Sequence, residues 1–150
     1  GLRLPGVIHV RGAGERVLAL ARRTGLEVST QPLALDRVLP RVSMLLHHGG
    51  AGISQQALAH GRPQVVAPAF LEQRLTAEAL AAQGVALVVG GPGTEYAQSG
   101  KALAFVAGRP ELAEKAQHVA KRLQQDYPPG ALARMADACE ALLNPAREST

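Results

Sequence analysis

The chain has 150 residues, enough for one ordinary domain, and 47% of them are apolar, so a sizeable hydrophobic core is available. Only 3% are aromatic, so that core must be aliphatic and rich in alanine. No apolar run approaches the roughly 20 residues needed to span a bilayer, and a single cysteine excludes a disulfide framework or a multi-cysteine metal site. The helical pattern around Cys139 predicts that this residue packs in the interior. Together these features predict a reduced, cytoplasmic domain.

The formal net charge of +4 is unevenly distributed. Residues 1–75 hold nine Lys or Arg against four Asp or Glu, whereas residues 76–150 hold seven against eight. A basic first half suits an anionic ligand. Nucleic acid is not expected as a partner, because the arginines are scattered and no aromatic side chains are available to stack on bases.

Short apolar runs alternate with helical patterns along the chain. Strands are predicted over residues 7–10, 26–29, 42–46, 64–67 and 85–89. Helices are predicted over residues 15–23, near 36–39, over 53–60 and over 76–83, followed by two amphipathic helices separated by Tyr127-Pro128-Pro129-Gly130. This order predicts an α/β fold: a Rossmann-like parallel sheet with helices on both faces, closed by the two C-terminal helices. Residues 1–143 are expected to form this domain and residues 144–150 a flexible tail.

The segment most informative about function lies between the third strand and the following helix. Gly49, Gly50 and Gly52 let backbone N–H groups approach an anion closely, and the start of a helix adds about half a positive charge. His48 and Ser54 can add side-chain donors. Such loops lie at the carboxyl ends of strands, where ligands bind in open α/β sheets. We therefore predict that this loop captures a phosphate or diphosphate.

The two adjacent histidines at the end of this strand have different expected roles. Successive side chains of a strand point to opposite faces, so one ring should face the loop and the other the interior. We assign His48 to the loop and His47 to a structural role.

Three separated pieces of sequence occur in order here: the motif HHGGAG at residues 47–52, the segment Ala57-Leu58 to Gly61-Arg62-Pro63, and Pro68 followed by Glu72-Gln73. Together they resemble the carboxyl-terminal, donor-binding domain of nucleotide-sugar glycosyltransferases with the GT-B fold. That group includes antibiotic and macrolide glycosyltransferases, plant secondary-metabolite glycosyltransferases and UDP-glucuronosyltransferases. The resemblance runs from about residue 26 to residue 90. It implies one half of a GT-B enzyme that moves a sugar from a UDP- or dTDP-sugar to a small-molecule acceptor by inverting, metal-independent transfer.

The resemblance also implies a role for individual residues. It assigns the diphosphate to His48, Gly49, Gly50, Ala51, Gly52, Ile53 and Ser54, the ribose to Gln56, the base to Gln31, Pro32 and Leu33, and the transferred sugar to Glu72 and Gln73. Three positions depart from the usual residue of the family. Gln56 replaces an acid, Ile53 replaces a hydroxyl-bearing residue, and Glu72 is one methylene longer than the usual Asp.

The resemblance places the general base on an amino-terminal domain outside this chain, so this chain alone is not expected to transfer sugar. It further implies that the first strand of a complete donor domain is absent. No cofactor is expected, and the sequence contains no Asp-x-Asp pair, so a metal-clamped diphosphate is not predicted.

Two alternative functions remain open. The departures at Ile53 and Gln56 leave room for a non-catalytic module that binds nucleotide sugars. Gly12-Ala13-Gly14 after a strand leaves room for a dinucleotide-binding oxidoreductase domain. That second motif is incomplete, because Val17 takes the place of the third glycine and Ser29-Thr30 stand where a ribose-binding acid would be.

Overall fold

Strands and helices alternate along the chain in the computed structural model, which describes residues 5–90, 99–127 and 130–143. Over those ranges the strands are β1 (Val7–His9), β2 (Glu27–Ser29), β3 (Leu45–His47), β4 (Gln64–Val66) and β5 (Ala86–Val88). The helices are α1 (Glu15–Arg22), α2 (Leu35–Val38), α3 (Ala51–Ala59), α4 (Leu71–Ala82), α5 (Ser99–Ala107), α6 (Pro110–Asp126) and α7 (Ala131–Leu143). A 3-10 turn, Leu39–Arg41, follows α2.

All of the strand pairs in the described residues are parallel, and they form two separate sheets. β1 pairs with β2, while β4 lies between β3 and β5 with Val65 opposite both Leu46 and Leu87. Parallel neighbours need a crossover connection, which α1, α3 and α4 provide. The predicted α/β class is thus confirmed, but the strands do not form one continuous sheet. Alternation along a sequence indicates parallel strands without specifying which of them become neighbours.

The core lies on both faces of β4. One face contributes Val66 to a cluster with α4, α6 and the start of the β5 segment: Val66, Ala77, Leu80, Val85 and Ala116. The opposite face contributes Val65 to a cluster with α5: Val65, Val89, Ala102 and Val106. Helices therefore cover both faces of this sheet, as predicted, and the core is aliphatic and rich in alanine.

The end of α3 is fitted closely against α6. The N–H of Gly61 donates to the carbonyl of Leu58 and the N–H of Arg62 donates to that of Ala57, each at 2.9 Å, which is the Schellman arrangement of a helix end. Gly61 has a φ of 62°, and a Cβ at this position would lie 3.0 Å from the Cα of Gln117. A glycine is therefore required both by the turn and by the neighbouring helix.

Two helices begin earlier than the sequence predicted. α3 begins at Ala51 rather than near residue 53, and α4 begins at Leu71 rather than near residue 76. The side chain of Gln73 explains the second difference, because its Oε1 accepts the N–H of Ala69 at 2.9 Å and so satisfies a donor just before the helix. Glu72 and Gln73 consequently lie in the first turn of α4.

The last described helix, α7, corrects two predictions. Cys139 is exposed rather than packed in the interior. The large apolar residues of α7 are also exposed, from 64% for Met135 to 82% for Leu132, so α7 does not close the described domain. An amphipathic pattern predicts an apolar helix face but not what covers it.

The predicted tail, residues 144–150, lies outside the described residues. None of the helices in the described ranges is long and apolar enough to cross a bilayer.

We expect Gly61→Ala to destabilise the chain more than Gly25→Ala does. Both glycines have positive φ, at 62° and 77°, but a Cβ at Gly25 would meet nothing within 4 Å. Gly25→Ala should therefore cost only the conformational penalty, about 1 kcal/mol, whereas Gly61→Ala should cost at least about 2 kcal/mol because its Cβ also meets backbone. Urea denaturation followed by circular dichroism measures both losses. Equal losses would show that the contact between Gly61 and α6 is not tight.

Candidate functional site

The turn from β3 into α3 consists of His48, Gly49 and Gly50. Gly49 has a φ of 93°, a conformation that glycine adopts without strain. A Cβ on Gly49 would lie 2.9 Å from the carbonyl oxygen of Gln73 and 2.9 Å from Cγ1 of Val66. The turn is thus seated against β4 on one side and the first turn of α4 on the other.

The start of α3 carries no side-chain cap. Gly50 is the N-cap, and within the described residues no acceptor is found for the N–H groups of Gly50, Ala51, Gly52 and Ile53. Unpaired N–H groups at a helix start amount to about half a positive charge. A Cβ on Gly52 would meet nothing within 4 Å, so the approach to these groups is open.

The two histidines of the turn face opposite ways, as predicted. His48 is exposed, and its ring lies over the helix start, with Nε2 3.0 Å from the position that a Cβ of Gly50 would occupy. His47 is buried, with 8% of its surface exposed. The start of α3 therefore has the imidazole of His48 on its solvent side and the imidazole of His47 on its buried side.

Both ring nitrogens of His47 have partners. Nδ1 accepts the N–H of Gly49 at 3.0 Å, and Nε2 lies 2.8 Å from Oε1 of Gln64. Because a backbone N–H can only donate, Nδ1 carries no proton in this arrangement, and the ring is neutral with its proton on Nε2. Burial away from water lowers the pKa of His47; the hydrogen bond to Gln64 opposes this shift, and the charge of His48 adds to it.

Two polar groups that the sequence assigned to the diphosphate are used within the protein. The N–H of Gly49 donates to His47, as described above. Ser54 is only 2% exposed, and its hydroxyl donates to the carbonyl of Gly50 at 2.9 Å. The free donors of this site are therefore the backbone N–H groups from Gly50 to Ile53 and the ring of His48.

The other predicted site residues lie in three places. Glu72 is exposed and Gln73 half-buried in the first turn of α4, where the backbone of Gln73 meets Gly49. Gln56 is exposed on α3. The segment predicted to meet the base comprises Gln31, Pro32 and Leu33; it follows β2 in the other sheet, where Ser29 Oγ donates to the carbonyl of Gln31 at 2.7 Å.

Gln64 is a residue of this site that sequence reasoning missed. It begins β4, is fully buried, and joins His47 to α3, because its Nε2 donates to the carbonyl of Ser54 at 3.3 Å. A glutamine in an otherwise apolar strand was the available signal, since a buried amide needs hydrogen-bond partners. By contrast, Gly12 has a φ of 65° and Gly14 is the N-cap of α1, so a tight turn accounts for both.

A sequence profile of the family described as "Erythromycin biosynthesis protein CIII-like, C-terminal domain" matches residues 27–142. The chain belongs to this family. It is similar to the elloramycin glycosyltransferase ElmGT of Streptomyces olivaceus, with 36% identity over 90 residues that cover 60% of this chain and 22% of ElmGT. The match thus spans less than a quarter of that relative's length.

Solved structures of glycosyltransferases are similar as well. The spinosyn rhamnosyltransferase SpnG superposes with a TM-score of 0.68 and 26% identity, covering 88% of this chain and 36% of SpnG. The glycosyltransferase VinC, solved in complex with dTDP, superposes with a TM-score of 0.60 and 25% identity, covering 69% of this chain and 27% of VinC. These findings confirm the resemblance to antibiotic glycosyltransferases and the fold that it implied.

The stability of the chain should fall as the pH is lowered below about 6.5, the ordinary pKa of histidine. His47 stays neutral when folded but takes up a proton when unfolded, so in this range the unfolded state binds more protons and the free energy of unfolding decreases. The contribution of His47 is complete above pH 6.5 and is lost as the pH falls through the lowered pKa. Urea denaturation of the unaltered chain and of His47→Asn between pH 7.5 and 5 measures it. The stability difference between the two should shrink with acidity; a constant difference would contradict the assignment.

Proposed function

We propose that this chain is the donor-binding domain of a metal-independent, inverting glycosyltransferase that uses a UDP- or dTDP-sugar and a small-molecule acceptor. One observation carries the proposal: the uncapped start of α3, open to solvent at Gly52 and with His48 over Gly50. Membership in a family of C-terminal domains, together with relatives named as glycosyltransferases, supports a nucleotide sugar as the anion.

The diphosphate would bind at the start of α3. Four backbone N–H groups, from Gly50 to Ile53, are available as donors, and the helix adds its partial charge. Gly52 lets a phosphate oxygen come close to the backbone because no side chain occupies that space. The ring of His48 would donate to the same group from the solvent side.

These contacts would also lower the barrier to transfer. As the glycosidic bond breaks through a transition state with oxocarbenium character, negative charge grows on the departing diphosphate. Donors fixed beforehand around that charge stabilise the transition state, and each good one contributes about 3 kcal/mol. His48 and the start of α3 would supply this stabilisation, and we propose that no metal ion is needed.

The remaining donor contacts would come from the surrounding elements. Gln56, on the exposed side of α3, would bind the ribose, and Glu72 with Gln73 would bind the transferred sugar from the first turn of α4. Gln31, Pro32 and Leu33 would meet the base. VinC in complex with dTDP favours dTDP as the first nucleotide to test. The acceptor and its general base would belong to an amino-terminal domain of the whole enzyme.

His48→Ala should weaken the binding of dTDP to this chain by about 10- to 100-fold, the worth of one charge-assisted hydrogen bond. Isothermal titration calorimetry measures the dissociation constants. His118→Ala is the matched control, because His118 is also exposed but lies on α6. Pyrophosphate should compete with dTDP, and NAD should not bind.

Binding of NAD in preference to dTDP and UDP would instead support the dinucleotide-binding alternative.

In the full-length enzyme, His48→Ala should lower turnover by about a hundredfold. An unchanged turnover in that variant would contradict the role of His48, whereas a full-length protein that binds dTDP but transfers no sugar would favour the non-catalytic binding module.

Gly52→Ala should separate stability from binding. An alanine in the first turn of α3 should raise the free energy of unfolding by up to about 1 kcal/mol, because glycine is the poorer helix former. The same methyl group should weaken dTDP binding, since it fills the space through which the diphosphate approaches. Gly100→Ala is the control: Gly100 is in α5, and its Cβ would also meet nothing within 4 Å. It should change stability alone. Unaltered dTDP affinity in Gly52→Ala would show that the diphosphate does not contact this residue.

A further inference from the structure

Four hydrogen bonds connect Gly49 to its neighbour Gly50 by a path through β3, β4 and α3. The N–H of Gly49 donates to His47 Nδ1, and His47 Nε2 faces Oε1 of Gln64 at 2.8 Å. Nε2 of Gln64 then donates to the carbonyl of Ser54, whose hydroxyl donates to the carbonyl of Gly50. The path starts at one residue of the glycine turn and returns to the next.

The first hydrogen bond of this path fixes the direction of the next two. The Gly49 N–H can only donate, so Nδ1 of His47 accepts and Nε2 carries the ring proton. The Nε2 proton requires an oxygen, which orients the Gln64 amide with Oε1 towards His47 and its NH2 group towards Ser54. A single arrangement of protons therefore satisfies Gly49, His47 and Gln64 at once.

This path of hydrogen bonds holds the peptide unit between Gly49 and Gly50, from which the free N–H groups of α3 extend. Gly49 has positive φ and Gly50 is the N-cap, so a rotation of the peptide between them would redirect the helix start. The carbonyl of Gly50 accepts from both the N–H and the hydroxyl of Ser54, at 3.1 and 2.9 Å. Its orientation is thereby set from the side opposite to the solvent.

We propose that His47, acting through Gly49 and Gln64, is a positioning residue that fixes the glycine turn in the conformation that presents the start of α3 to the diphosphate. The inference rests on the proposed function and extends it to a buried residue that does not touch the donor. His47 pre-orders the donors before the nucleotide arrives, so less ordering remains to be done on binding.

The tautomer of His47 gives a test that needs no ligand. A long-range proton–nitrogen NMR spectrum of the imidazoles at pH 7.5 should show His47 with its proton on Nε2. In Gln64→Met, which removes the acceptor of that proton, the Gly49 amide resonance should shift although the hydrogen-bonded path from Gln64 to Gly49 runs through His47. A proton on Nδ1 in the unaltered chain would overturn the inference.

Binding of dTDP to three variants tests the role itself. His47→Leu removes the hydrogen bonds to Gly49 and Gln64 and should weaken dTDP binding by about tenfold. His47→Asn should recover the affinity to within about threefold of that of the unaltered chain, because its Oδ1 can accept the N–H two residues later. Val65→Ala is the stability control: Val65 is fully buried on the other face of β4 and belongs to the cluster with α5. It should lower stability and leave the dissociation constant unchanged.

The outcomes separate the inference from the proposed function. If the unaltered chain binds neither dTDP nor pyrophosphate, the proposed function fails and the inference fails with it. If the unaltered chain binds dTDP but His47→Leu binds it equally well, only the positioning role is overturned. Equal weakening by His47→Leu and Val65→Ala would also overturn it, because the effect would then follow from lost stability.

Discussion

An imidazole that is buried away from water needs a hydrogen-bond partner for each of its ring nitrogens. At His47 this requirement determines the conformation of the turn that follows β3. The partners lie in different elements: the backbone of Gly49 in the turn and the side chain of Gln64 in β4. The hydrogen bonds that pair both ring nitrogens of His47 therefore also join the end of β3 to the adjacent strand. Through Gln64 and Ser54 they join it to α3 as well. The same contacts that remove a cost of burial define the shape of the turn.

The surrounding fold leaves little freedom to that turn. Gly49 is enclosed by Val66 and Gln73, so β4 and α4 limit it from two sides. At the far end of α3, Gly61 meets Gln117 of α6. A helix fixed at both ends by glycines against its neighbours has a defined position, and the direction of its N-terminal N–H groups follows from that position. Small side chains such as Ala77 of α4 and Ala116 of α6 let these two helices pack closely against Val66 of β4.

The parts of the fold that depend on local sequence were predictable. Alternating strands and helices indicated the α/β class, and the two-residue period of a strand predicted that His47 and His48 face opposite ways. Strand neighbours were not predictable, since the pairing of β3 with β4 is a contact between distant segments. The early start of α4 depends on the Gln73 side chain reaching Ala69, which no periodicity signals. The exposed face of α7 shows the same limit, because its pattern resembles that of a packed helix.

The turn that forms the candidate site was predictable from the sequence, but which of its polar groups stay free was not. The glycines and His48 predicted an anion site at this turn, and the structure leaves the N–H groups from Gly50 to Ile53 without an acceptor there. The use of the Gly49 N–H and the Ser54 hydroxyl inside the protein could not be read from the sequence, because each bond, although it spans only two or four residues, depends on the rotamer that the His47 or Ser54 side chain adopts. Gln64 lies 17 residues from His47, and only the parallel pairing of β3 and β4 brings the two together.

The positive end of α3 is made of backbone amides, which have no proton to lose over the range in which proteins stay folded. The dipole of a helix therefore remains as the pH rises. The attraction of α3 for an anion should therefore persist on the alkaline side of neutrality, and dissolved salt rather than hydroxide is what attenuates it.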